Sequence, residues 1–200
     1  MLLLSKYLLI LPDINRIIIT QNMLFDTAKK IEIVPGYDIQ FRKLKNIILP
    51  EEFSIEWGEQ IKQYALEFAS EIDLSHFQNF SGDSYMRNYI GRDNESGWEV
   101  LIMGWSKGNR TAIHGHPKFA SYTVVSGEIM LEVFEKRDDK LKRVMEYIAR
   151  PGESFYAIGE SDNYENHIHR LTGISDKAHS LHIYSDDARK GINFDSYGII

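Results

Sequence analysis

The 200-residue chain has no cysteine, and that absence removes disulfides, thiolate metal ligands, cysteine nucleophiles and any thioether cross-link made from the chain itself. Any metal it holds must be bound by histidine and carboxylate. Strong charge of either sign is also missing: the formal net charge is −6 and the basic residues are scattered, so there is no nucleic-acid footprint. The opening apolar stretch is interrupted at Lys6 and stopped by Pro12 and Asp13, too short for a bilayer span of about 20 apolar residues. It also lacks the leading positive charge and trailing small residues of a secretion signal. The expectation is a cytoplasmic protein with neither a membrane nor a nucleic-acid partner, and Met23 is an alternative start. No repeat, low-complexity tract or linker stands out, and no Gly-x-Ser-x-Gly elbow makes Ser180 a hydrolase nucleophile.

What is present suits one globular domain. Hydrophobic residues make up 43% and aromatic residues 12%, enough to bury a core at this length. After Pro50, Glu51 and Glu52, the apolar positions Ile61, Ala65, Phe68 and Ile72 follow at spacings of four, three and four. This is one face of a helix with acidic residues in its opening turn, predicted over 50–73, whereas 20–45 reads as helix or irregular. From 83 onward come short segments rich in β-branched and aromatic residues: Tyr85–Ile90, Trp98–Trp105, Ser121–Val125, Glu128–Phe134, Val144–Ile148, Phe155–Ile158 and Ser180–Tyr184. Turn residues separate them at Asp93–Gly97, Ser126–Gly127 and Arg137–Lys140, as in an antiparallel sandwich or barrel. The expected fold is α+β and mainly β, a single domain over 1–200. Its parts are a mainly helical region over 1–82, a barrel over 83–185 and a C-terminal tail over 186–200. A monomer is expected.

Six of the seven histidines fall between 114 and 182. His114 and His116 are two residues apart, so in a strand both side chains reach one face and one ion. Gly108 and Gly127 flank them as turn residues. Such a pair alone also fits two surface histidines, but His167, His169, His179 and His182 add a second cluster. Two or three of the six are expected to be structural, since histidine finds partners easily. Neutral imidazole suits Fe, Zn, Cu and Ni, so the metal reading points to a transition metal. His167 and His169 both qualify as a third ligand, His179 reads as surface, and His76 as a helix end or loop. On the last strand Ser180, His182 and Tyr184 share one face while Leu181 and Ile183 share the other.

Gly108, five residues, His114-x-His116, three residues, Ala120, six residues, Gly127 resembles the first cupin motif, with alanine where many cupins carry a metal-binding glutamate. A three-histidine cupin resembles the thiol dioxygenases, most closely the cysteine dioxygenase family. Tyr85-Met86-Arg87-Asn88 is similar to that family's Tyr-x-Arg-Asn segment, and Leu101-Ile102-Met103-Gly104-Trp105 to the strand leading into its metal motif. His169-Arg170 resembles the segment with the third histidine, and Ser180-Leu181-His182-Ile183-Tyr184-Ser185 the family's Ser-Leu-His-Leu-Tyr-Ser strand. The likeness covers roughly 50–185.

The resemblance implies N-terminal helices followed by a cupin (jelly-roll) β-barrel. It implies an Fe(II)-dependent enzyme that oxidises L-cysteine with O2 to cysteine sulfinate. By the same likeness His114, His116 and His169 are the Fe(II) ligands, His169 being preferred to His167 because Arg170 follows it. Arg87, with Tyr85, would hold the substrate carboxylate, and Ser180, His182 and Tyr184 would form a hydrogen-bonded relay. The planar fork of arginine matches a carboxylate in two bonds. Alternatives are a dioxygenase for 3-mercaptopropionate or another small thiol, which in family terms has glutamine where this chain has Arg87, and a non-catalytic metal-binding cupin. Two departures carry consequences. Ala120 stands where some members have a cysteine bonded to the counterpart of Tyr184, which implies a less tuned site. Gly173 stands where an asparagine often follows the third histidine by four, which implies a missing hydrogen bond near the metal.

Overall fold

The computed structural model describes residues 32–48 and 53–200. The apolar opening, Met23, residues 20–31 of the segment read as helix or irregular, and residues 50–52 lie outside these. Of the rest of that segment, residues 32–37 are irregular, and helix α1, Asp38–Ile48, takes up the remainder and runs slightly past it. Helix α2, Ile55–Glu71, is the one read from the apolar spacing. Ser54 caps it, its Oγ accepting the Trp57 N–H at 3.1 Å and so satisfying a donor that the first turn leaves open. Its buried face is Trp57, Ile61, Tyr64, Ala65 and Phe68. A 3-10 turn, Leu74–Phe77, holds His76 in the expected kind of place.

Among the described residues ten strands follow: β1 (Met86–Arg92), β2 (Glu99–Ser106), β3 (His114–His116), β4 (Phe119–Ser126), β5 (Ile129–Arg137), β6 (Lys140–Ala149), β7 (Ser154–Ile158), β8 (Asn166–Gly173), β9 (Lys177–Tyr184) and β10 (Gly198–Ile199). Each of the seven segments read as strands from the sequence falls on one of them. Two five-stranded sheets result, ordered β1-β2-β9-β4-β7 and β10-β6-β5-β8-β3. Every pairing is antiparallel except the short β10–β6 contact. The sheets face each other: the His116 ring on β3 stacks on Tyr184 of β9 at 5.8 Å, and Tyr122 on β4 meets His169 on β8 edge-on at 5.3 Å. This is the barrel of two antiparallel sheets that the strand pattern predicted.

The helices cover the outer face of the first sheet. Trp57 meets Trp98 at 5.5 Å and Phe119 at 5.1 Å between ring centroids, over Leu181 and Ile183 of β9. Burying each such side chain contributes about 1.5–3 kcal/mol, so stability is concentrated here. Beyond β9 the chain returns to the barrel. Phe194 is buried, Asp195 accepts the Ile113 N–H at 2.8 Å, and Asn193 bridges to His114. The last residues thus brace the strand that carries the first two histidines. Among the described residues no helix is long and apolar enough to cross a membrane.

Candidate metal centre

Strand β3 consists of His114, Gly115 and His116, and its extended backbone sends both imidazoles to one side. The residue between them is confined to glycine, because a Cβ there would run into the Tyr164 carbonyl. His169 lies directly across from His114 in the β3–β8 ladder. Ring centroids are 4.5 Å apart for His114 and His116, 5.0 Å for His114 and His169, and 4.3 Å for His116 and His169. One nitrogen from each comes within 4.8 Å of the other two. His167 is outside this group. Its φ of +48° breaks the extended geometry that would have aligned it with His169, and it offers its backbone carbonyl instead.

Hydrogen bonds set the tautomers. His114 Nδ1–H donates to the Ala112 carbonyl at 2.9 Å and His116 Nδ1–H to the His167 carbonyl at 3.1 Å. A carbonyl only accepts, so each Nδ1 carries the proton and each Nε2 keeps a free lone pair, the arrangement of metal-binding imidazole. His116 Nε2 and both nitrogens of His169 are buried without a partner among the described residues, which costs stability unless something fills the role. Burial pulls the His114 pKa down to about 4. Burial, then the neighbouring histidines, holds His116 and His169 well below the usual range. All three are neutral at pH 7, as ligands must be. Three converging neutral imidazoles fit a transition metal.

Ser180, His182 and Tyr184 project inward from β9 and are linked. Ser180 Oγ is 2.7 Å from His182 Nε2, and His182 Nδ1 is 2.8 Å from the Tyr184 hydroxyl. Trp105 on β2, a residue the sequence reading used only as part of a strand, donates its indole N–H to Ser180 Oγ at 2.8 Å. Among the described residues Ser180 Oγ has only Trp105 and His182 as partners, so its one proton is used only if it points to His182. Ser180 accepts from Trp105 and gives its proton to His182 Nε2, and His182 Nδ1–H donates to Tyr184, whose own O–H is left free. Burial brings His182 down to about 3 and pushes the Tyr184 phenol well above its ordinary range, so both are neutral.

Arg87 stands on β1, and its Nη2–H donates to the Tyr85 hydroxyl at 3.3 Å. The Tyr85 ring stacks on Trp105 at 4.9 Å. Arg87 is partly buried, and among the described residues it forms no ion pair with a carboxylate. In the ladder Arg87 stands across from Met103, which in turn stands across from Ser180, so its side chain leaves the sheet on the same face as the relay. The sequence-derived set is therefore brought together.

Two expectations are altered or extended. His179, read as a surface residue, is 4% exposed. Its Nε2–H donates to the Phe77 carbonyl at 3.0 Å and its Nδ1 accepts from Ser126 Oγ at 2.8 Å. These bonds tie the 3-10 turn to the barrel, a tertiary contact invisible in local pattern. Tyr122 was overlooked as a site residue. It lies across from His182, as Ala120 lies across from Tyr184. The alternation that sorted β9 into two faces, applied to β4, would have pointed Ala120 and Tyr122 inward. Gly173 is also explained, since a Cβ there would come 2.8 Å from the Ser106 carbonyl, leaving no room for a side chain.

No curated protein matches the chain. Among solved structures, an oxalate oxidase is 15% identical over 56% of this chain and 56% of its own, with a TM-score of 0.43. A cupin superfamily protein from Desulfitobacterium hafniense is 12% identical over 60% of this chain and 87% of its own, with a TM-score of 0.40. A cupin 2 conserved barrel domain protein from Leptotrichia buccalis is 19% identical over 56% of this chain and 46% of its own, with a TM-score of 0.43. The chain thus spans little more than half of the oxalate oxidase and less than half of the Leptotrichia protein. A family model described as cysteine dioxygenase type I matches residues 40–196, which include every residue of the site, and the chain belongs to that family.

Proposed function

We propose that the protein is an Fe(II)-dependent thiol dioxygenase that oxidises L-cysteine to cysteine sulfinate, with His114, His116 and His169 as the iron ligands. The observation that carries this reading is Arg87. A partly buried guanidinium with no carboxylate partner among the described residues, beside a three-histidine group, is a place for a small substrate's carboxylate. Bound iron would supply the electronic means for O2 to react with a thiol. Both oxygen atoms end on sulfur, RSH and O2 giving RSO2H, so no outside reductant is required.

The chain's own residues supply orientation and proton control. Arg87 fixes the carboxylate end of the substrate, which leaves the thiol end toward the histidines. The proton donor is the hydroxyl of Tyr184, aimed by His182 Nδ1–H and held neutral by burial. Ser180 and Trp105 fix the His182 tautomer from behind.

The deciding experiment is O2 uptake by anaerobically Fe(II)-loaded protein with L-cysteine and, in parallel, 3-mercaptopropionate. Cysteine-dependent uptake with a sulfinate product is expected. Preference for 3-mercaptopropionate would move the activity to that substrate, and no uptake with either despite bound iron would leave a metal-binding protein without turnover.

A further inference from the structure

Several buried polar atoms without a partner among the described residues gather in one place: Nε2 of His116, both ring nitrogens of His169, Nε2 of His167 and the hydroxyl of Tyr122. A metal bound by His116 and His169 takes one nitrogen from each. The remaining nitrogen of His169 is then the anomaly, because His114 and His116 each use Nδ1–H on a backbone carbonyl and His169 has no such bond. Two of the rings around His169 belong to the other ligands. The other two are Tyr122, edge-on at 5.3 Å, and His167, edge-on at 4.9 Å. Tyr122 and His167 also lie nearly parallel, 6.2 Å apart at 21°, and each carries one of the unspent atoms.

We propose that Tyr122 and His167 are positioning residues for His169, doing for it what backbone carbonyls do for His114 and His116. The inference rests on the reading of the three histidines as a metal site. The spare N–H of His169 points its proton to the Tyr122 oxygen and the Tyr122 O–H to His167 Nε2, each across one bridging water. This one chain satisfies all three otherwise unpaired atoms. It also fixes the tautomer and ring angle of His169, the role such outer partners play at metal sites. His167 fits the assignment in its backbone as well. At φ +48° glycine would be at ease and a histidine is strained, so the imidazole is present against the local backbone preference.

The test is metal affinity, read by competition with a chromophoric chelator for Fe(II) under anaerobic conditions and for Co(II), whose visible bands report ligand geometry. Tyr122→Phe removes only the hydroxyl. His167→Gly removes the imidazole but keeps the carbonyl that holds His116. Each should weaken metal binding about tenfold or more and shift the Co(II) bands, while the metal-free variants melt at or above the wild-type temperature. Wild-type affinity in both variants would overturn the assignment. So would metal-free variants that melt lower in step with their lost affinity, which would mark a merely structural role. No thiol enters either readout, so failure of the oxidation reading leaves this result interpretable, whereas wild-type protein that bound neither ion would overturn the metal centre and this inference together.

Discussion

Strand β9 separates two regions that differ in almost every physical respect. Toward the helices, Leu181 and Ile183 sit in an apolar cluster with Trp57, Trp98 and Phe119, where burial and packing are both favourable. Toward the other sheet, Ser180, His182 and Tyr184 share an interior with histidines whose nitrogens lack partners among the described residues. The outer face stabilises the fold; the inner face costs stability in the metal-free protein and is tolerable because the outer one is so well packed. Substitutions on the two faces should therefore have opposite signatures.

The largest contrast is expected between a residue of the three-histidine group and a core residue. His169→Ala should lose bound metal and with it all measurable O2 uptake, while the metal-free protein stays as stable as wild type or gains stability from losing unpaired nitrogens. A variant that keeps full metal content by elemental analysis would strike His169 from the ligand set. Trp57→Ala should do the reverse. It should cost about 3–5 kcal/mol in chemical denaturation while the surviving folded fraction binds metal normally. Equal damage to metal binding would mean that the two faces are not separable.

Smaller effects sharpen the inner face. Tyr184→Phe keeps the ring stacked on His116 and removes only the hydroxyl that His182 orients. Turnover should fall about 100-fold with metal content unchanged, and undiminished turnover would leave the relay without a role. Arg87→Ala should raise KM for cysteine about 10-fold or more, as loss of a charged hydrogen bond predicts, with little change for cysteamine, which has no carboxylate. An equal rise for both thiols would mean that Arg87 shapes the pocket without holding the carboxylate.

How much of this was legible in the sequence follows the same division. Helix α2 and the hydrophobic strands announce themselves because their buried faces are apolar and periodic. Strand β8 does not: its inward side chains include His169 and its outward Arg170 is paired with Glu132 on the neighbouring strand, so neither face reads as core. Strand β6 was legible only in its second half, because Lys140, Lys142 and Arg143 are set in place by pairing with β5 and not by their own pattern. The three-histidine group and the Ser180–His182–Tyr184 chain were readable from spacing and likeness. Alternation on β4 could have turned Tyr122 inward, but its place beside His169, like the bond from Trp105 to Ser180, depends on which strands lie opposite.

The smallest predicted effect concerns two histidines on opposite faces of β9. Burial lowers His182 on the inner face to about 3 and also lowers His179 on the outer face. Both are neutral in the folded protein, whereas in the unfolded chain histidine titrates near about 6.5. Below that value the unfolded state binds protons that the folded state refuses, so stability is complete above about 6.5 and declines as the solution is acidified. For His182 the decline continues toward its folded value of about 3, with a limiting slope of about 1.4 kcal/mol per pH unit. His179→Gln keeps a hydrogen-bonding group between Ser126 and Phe77 but cannot titrate. Denaturation of the metal-free variant at pH 7 and pH 5 should show a shallower loss than wild type, by less than one proton. An unchanged slope would mean that the outer face contributes nothing to acid sensitivity and that the whole effect belongs to the histidine-lined interior.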